Sequence, residues 1–168
     1  MTVKCRMPAT IAPAAIAPAT ITITRRVEFD AGHRLPNHAS QCRNIHGHRY
    51  ALEITLSSAV IHEAGAADDG MVMDFGDIKR IANEKLVDLW DHAFLVYRGD
   101  KIMMDFLTAI PGHKTVVLDV VPTAENLVEV AFGILKDAYR DRFGHLLTLT
   151  CVRLYETPNC WADAIAAA

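Results

Sequence analysis

His46 and His48 stand two apart in the run CRNIHGHRY, separated by Gly47. On an extended strand, residues two apart point to the same side, so both imidazoles face one way and Gly47 leaves the opposite side clear. His33 closes an earlier β-branched run, ITITRRVEFDAGH, and antiparallel pairing of the two strands can bring it beside the pair. Three neutral imidazoles converging on one point suit Zn²⁺ and leave a fourth position open, the pattern of a catalytic zinc. Such an ion polarises a substrate oxygen or acidifies a hydroxyl. HxH alone is common on strands that hold no metal. The addition of His33 and Cys42 on the same short connection singles this stretch out.

Cys42 stands four residues before His46 and is open to three roles: a fourth zinc ligand, a small buried hydrophobe or a reactive thiolate. His38, mid-loop beside Asn37, reads as a solvated loop residue. Asp91-His92 follows an apolar helical pattern, and at a helix-to-loop junction the carboxylate can orient the imidazole. Acid–histidine pairs are also ordinary at helix ends, where a histidine suits the dipole. Glu156 ends a long strand beside Thr157-Pro158; a carboxylate there can accept two parallel N–H bonds from a flat heterocycle, or simply be solvated.

The elements around these residues follow from periodicity. Ile21 to Asp30 reads as a strand, 31–45 contains a long loop, and Arg49 to Ser57 alternates as a second strand. Phe75 to Trp90 has helical spacing, with Asp74 and Asp77 at its start. Within 91–122, Met103 to Ile110 reads as a short helix and Thr115 to Val121 as a short extended piece. A second long helix starts at Thr123, a hydroxyl N-cap with Glu125 in the first turn, and ends at Gly144. Leu146 to Glu156 is a long strand and Cys160 to Ile165 a last one. Strand, strand, helix, helix, strand, strand is an α+β order: an antiparallel sheet with two helices on one face. Apolar residues on both faces of the long strand imply a free face covered by another subunit.

With 168 residues the length fits one domain, and 51% hydrophobic with 22% charged residues excludes a disordered chain. A net charge of −3 excludes a bulk basic footprint, so neither nucleic acid nor a membrane surface is an expected partner. Four cysteines without a CxxC pair read as reduced thiols of a cytoplasmic protein. No run of about 18 uninterrupted apolar residues is present to span a membrane. Residues 1–22, rich in Ala, Pro and Thr and broken by Pro8, Pro13 and Pro18, read as a poorly ordered N-terminal extension before one domain over 23–168.

Taken in order, FDAGHRL, CRNIHGH, MDFGDIK, WDHAFL, PTAENL and VRLYETP resemble the 6-pyruvoyl-tetrahydropterin synthase / 6-carboxy-tetrahydropterin synthase family over about residues 24–164. The C-x3-HGH spacing is similar to the bacterial 6-carboxy type. The resemblance implies the tunnelling fold (T-fold), a four-stranded antiparallel sheet with two helices inserted between strands 2 and 3. It implies trimers that stack into homohexamers, with active sites between subunits. Residue by residue, it implies His33, His46 and His48 as zinc ligands, Cys42, Asp91 and His92 as the catalytic set, Glu156 as the pterin anchor, and Thr123 and Glu125 beside the pterin pocket. The activity implied is a zinc-dependent lyase acting on 7,8-dihydroneopterin triphosphate to give 6-carboxy-tetrahydropterin, acetaldehyde and triphosphate for queuosine. The alternatives are the 6-pyruvoyl synthase of biopterin synthesis and a non-catalytic pterin or zinc-binding module. The triphosphate needs cations, and Arg25, Arg26, Arg43 and Lys114 are candidates among which sequence does not choose.

Overall fold

The computed structural model describes residues 19–167. Two long strands, β1 (Ile21–His33) and β2 (His46–Ser58), pair antiparallel along their full length, from Ile21 opposite Ser58 to His33 opposite His46. The long loop between them carries a single 3-10 turn, Gln41–Arg43. After β2 come α1 (Phe75–Ala82), a π-helical turn (Asn83–Val87) and a last α-helical turn, α2 (Asp88–Trp90). Then follow β3 (Ala93–Tyr97), α3 (Lys101–Thr108), β4 (Thr115–Leu118), α4 (Ala124–Phe143), β5 (Thr148–Thr157) and β6 (Cys160–Ile165).

The sheet runs β4-β3-β1-β2-β5-β6, six strands where four were expected. The four expected strands are present and antiparallel, but β3 joins β1 in parallel and β4 joins β3 in parallel. The sheet is therefore mixed. The fold class is α+β with helices on both sides: α1 and α4 cover the face carrying Val27, Phe29, Leu52, Ile54 and Leu154, while Met103 and Leu107 of α3 cover Phe94 and Val96 on the other. Residues 1–18 of the expected extension lie outside the described residues, and Ile21 and Thr22 already belong to β1.

Local chemistry explains the element ends. Asp74 accepts from the Gly76 N–H to cap α1, Asp100 accepts from the Met103 N–H to cap α3, and Thr123 accepts from the Asn126 N–H to cap α4. The expected single helix over 75–90 is interrupted by the wide turn at Asn83–Val87, which good helix formers conceal. On β5 the apolar residues do not lie on both faces as expected. A β-bulge between the pairs Thr55–Cys151 and Leu56–Leu149 resets the alternation, so Leu149, Val152 and Leu154 all join one core. The opposite face carries Arg153, held by Asp163 at 2.6 Å, and Tyr155. No helix among the described residues is long and apolar enough to cross a membrane.

Candidate metal centre

The β1–β2 register brings the three histidines together. His33 lies directly opposite His46, and Ala31 opposite His48, so all three imidazoles share the face that packs against α4. One ligand atom from each lies within 4.8 Å of the other two. The ring centroids are 4.5 Å apart for His33 and His46, 5.2 Å for His33 and His48, and 5.0 Å for His46 and His48.

Main-chain carbonyls fix which nitrogen points inward. His33 Nδ1 lies 2.7 Å from Pro122 O, just ahead of α4, and His46 Nδ1 lies 2.9 Å from Asn44 O. A proton on each Nδ1 donates to its carbonyl and leaves Nε2 as a bare lone pair, the arrangement of metal-ligating histidines. Burial pushes the His33 pKa down to about 4 against the opposing Pro122 hydrogen bond, and it also lowers that of His48. Both rings are therefore neutral near pH 7, as ligation requires.

Four buried side-chain nitrogen or oxygen atoms lack a partner among the described residues, and three are here: His33 Nε2, His48 Nε2 and Tyr50 Oη. Buried polar atoms are almost always satisfied, so three orphans at one point mark a site for something that binds them. A divalent ion that accepts imidazole nitrogen fits this set. Cys42 is not part of the group; it sits half-buried in the 3-10 turn, its carbonyl accepting the Leu35 N–H at 2.8 Å.

Glu156 borders the centre, with Oε1 at 3.6 Å from His33 Nε2 and 3.8 Å from His48 Nε2, too long for hydrogen bonds. Thr123 sits at the α4 N-cap beside Pro122, whereas Glu125 lines a separate cleft between α4 and β6 with Asp163 and Ile165. Tyr50 is a site residue that sequence reasoning missed. Its signal is the same period of two, His46, His48, Tyr50, and its ring stacks on Phe29 at 5.2 Å.

Asp91 and His92 lie elsewhere. His92 Nδ1 is 2.9 Å from Asp91 Oδ2, and the Asp30 N–H donates to Asp91 Oδ1 at 2.9 Å. That backbone hydrogen bond, more than His92, holds the Asp91 carboxyl below the usual range. His92 opens onto a cleft of about 610 Å³ lined by Asp30, Gly47, Arg49, Phe94 and His113. Asp30, Gly47 and Arg49 alternate along β1 and β2 with the residues that face the histidine centre, so this cleft lies on the other side of the sheet. Within one chain the sheet separates the two groups.

The sequence matches the family model for 6-pyruvoyl tetrahydropterin synthase over residues 22–166. The chain belongs to this family. Among curated relatives, the 6-carboxy-5,6,7,8-tetrahydropterin synthase of Rickettsia bellii is 38% identical over 144 residues, 85% of this chain and 99% of that one. The protein of the same name from Haemophilus influenzae is 30% identical over 84% of this chain and 96% of its own. Of solved structures, 6-pyruvoyl tetrahydropterin synthase from Caenorhabditis elegans superposes with a TM-score of 0.63 at 24% identity, over 90% of this chain and 99% of that one. An uncharacterized protein from Wolinella succinogenes reaches 0.72 at 19% identity, over 89% of this chain and 99% of its own. These two structures share the tetrahydropterin synthase fold with this chain.

Proposed function

We propose that this protein is a zinc-dependent 6-carboxy-5,6,7,8-tetrahydropterin synthase. It is a lyase that takes 7,8-dihydroneopterin triphosphate and water to 6-carboxy-tetrahydropterin, acetaldehyde and triphosphate, a cytoplasmic step toward queuosine. The observation that carries this reading is the cluster of three neutral histidines with unsatisfied inward nitrogens, in a chain whose full-length relatives bear that name. His33, His46 and His48 would hold the ion through Nε2. When bound, zinc supplies Lewis acidity toward the substrate's side-chain oxygens.

The remaining work belongs to the chain. Glu156, bordering the centre, accepts N–H bonds from the pterin ring and orients it, with Thr123 and Glu125 near the pocket. Cys42 as thiolate takes one proton from the substrate side chain. His92, oriented by Asp91, moves another. Because His92 opens on the opposite sheet face from the histidine centre, the pair reaching a substrate there comes from a second copy of the chain. This supports active sites between subunits of a homohexamer.

The test is incubation of the zinc-loaded protein with dihydroneopterin triphosphate, followed by mass spectrometry. Acetaldehyde with 6-carboxy-tetrahydropterin is expected. A 6-pyruvoyl product would move the protein to biopterin-type chemistry, and no turnover with zinc bound would leave a binding module.

A further inference from the structure

The peptide joining Asp91 to His92 is held on both sides. Its N–H, on His92, donates to Asp30 O at 2.6 Å, and its carbonyl, on Asp91, accepts from Lys114 Nζ at 2.5 Å. Lys114 also donates to Asp88 O at 2.8 Å, one of the carbonyls that the end of α2 leaves without an intrahelical partner. The main chain of Lys114 is itself anchored, its carbonyl accepting the Phe94 N–H at 3.0 Å where β4 begins.

This peptide has an alternative. Asp91 has φ −61° and ψ 128°, and His92 has φ 57°, the one positive φ at a non-glycine among the described residues. These angles are close to the central pair of a type II turn, a conformation that favours glycine at its second position. Rotating the peptide plane gives the type I arrangement, in which His92 regains a negative φ and loses its strain. The flip would carry the Asp91 carbonyl away from Lys114 and the His92 N–H away from Asp30. It would also swing the imidazole off Asp91 Oδ2.

We propose that Lys114 is a positioning residue for the Asp91–His92 pair, locking the peptide between them in the strained orientation that aims the imidazole. The sequence left Lys114 as a candidate for the triphosphate; two of its three donors are instead spent on carbonyls of this chain. The activity readout rests on the proposed role of His92, whereas the structural readout does not.

The test compares K114M, which keeps the stem and removes the donors, with K114R, which restores them. In K114M, kcat is expected to fall about 10- to 100-fold with KM within about twofold, as for a misaimed catalytic group. K114R is expected to recover to within about fivefold of the parent protein, because its guanidinium again offers several donors. A crystal structure of K114M should show His92 at negative φ and its contact with Asp91 lost. Retention of positive φ and of that contact would overturn the proposal, as would a raised KM at unchanged kcat, which marks a substrate contact. If the parent protein makes no product, the synthase reading fails, and the crystal comparison still decides the role of Lys114. Should K114M not fold, K114Q, with a shorter amide donor, is read by the same two measurements.

Discussion

Asp100 is buried, yet it is an acid with a charge. Arg34 answers it with a two-pronged contact, Nε to Oδ2 at 2.6 Å and Nη2 to Oδ1 at 2.7 Å, while the same carboxylate caps α3 through the Met103 N–H. Arg34 directly follows His33, so this pair ties the Cys42 loop to the segment carrying α3. Breaking a fully buried pair costs about 3–5 kcal/mol. Arg34 keeps 20% of its side chain in water, which recovers part of the loss, so D100N should cost about 2–3 kcal/mol. D100A also removes the cap and should cost about 1 kcal/mol more. A double-mutant cycle of R34A and D100A, read by urea unfolding at fixed protein concentration, should return a coupling of about 1.5–3 kcal/mol. Arg34 holds the Asp100 pKa below the usual carboxylate range. The contribution is therefore complete above the unfolded value, about pH 4, and disappears as pH falls through the lower folded value. The gap between parent and D100N should stay level from about pH 5 to 8 and close in acid. A coupling under about 0.5 kcal/mol, or a gap that widens in acid, would refute the reasoning.

Three further outcomes are expected. G47A adds a Cβ that would sit 2.9 Å from the Ala31 carbonyl oxygen, and backbone cannot swing aside; metal affinity in a chelator competition should drop about 10-fold or more. In metal-free protein, neutral His33 with a pKa of about 4 must be compared with about 6.5 in the unfolded chain. The unfolded state takes up the proton first, so stability should decline by up to about 3 kcal/mol from pH 6.5 to 4, and H33Q should lack that decline. Finally, inactive C42A and H92A proteins, unfolded together and reassembled, should regain about one quarter of parent activity if each site draws on two copies. Mixtures that stay inactive would put the whole site in one chain.

Much of this was legible because it depends on period alone. The alternation through β1 and β2 predicts that His33, His46 and His48 share a face, and the caps at Asp74 and Thr123 mark two helix starts. What escaped depends on contacts distant in sequence. β3 and β4 have only five and four residues, and their parallel partners lie across intervening helices, so no local pattern reports the pairing. The bulge on β5 shifts the alternation, which made one core face resemble two. Likewise, Asp91 and His92 are adjacent in sequence to nothing that reveals their side of the sheet. That follows from the pairing of Ala93 with Ala31 and from the Asp30 hydrogen bonds. Lys114 was noticed for its charge, while its partners are carbonyls, which leave no mark in a sequence.

The wide turn at Asn83–Val87 bears on how this segment tolerates changes of length. A π-helical turn accommodates one residue more than the α-helical ladder around it. Just beyond it, Trp90 is sealed in the core with its ring edge-on to Phe29 at 5.9 Å, and Asp91 reaches Asp30. Removing one residue from the turn would produce a more regular helix and rotate everything after it by about 100°. Trp90 would leave the core and the acid would lose its aim. A variant shortened here would therefore gain backbone regularity while losing the pair that follows, so the less regular helix is the one that keeps Asp91 and His92 in position.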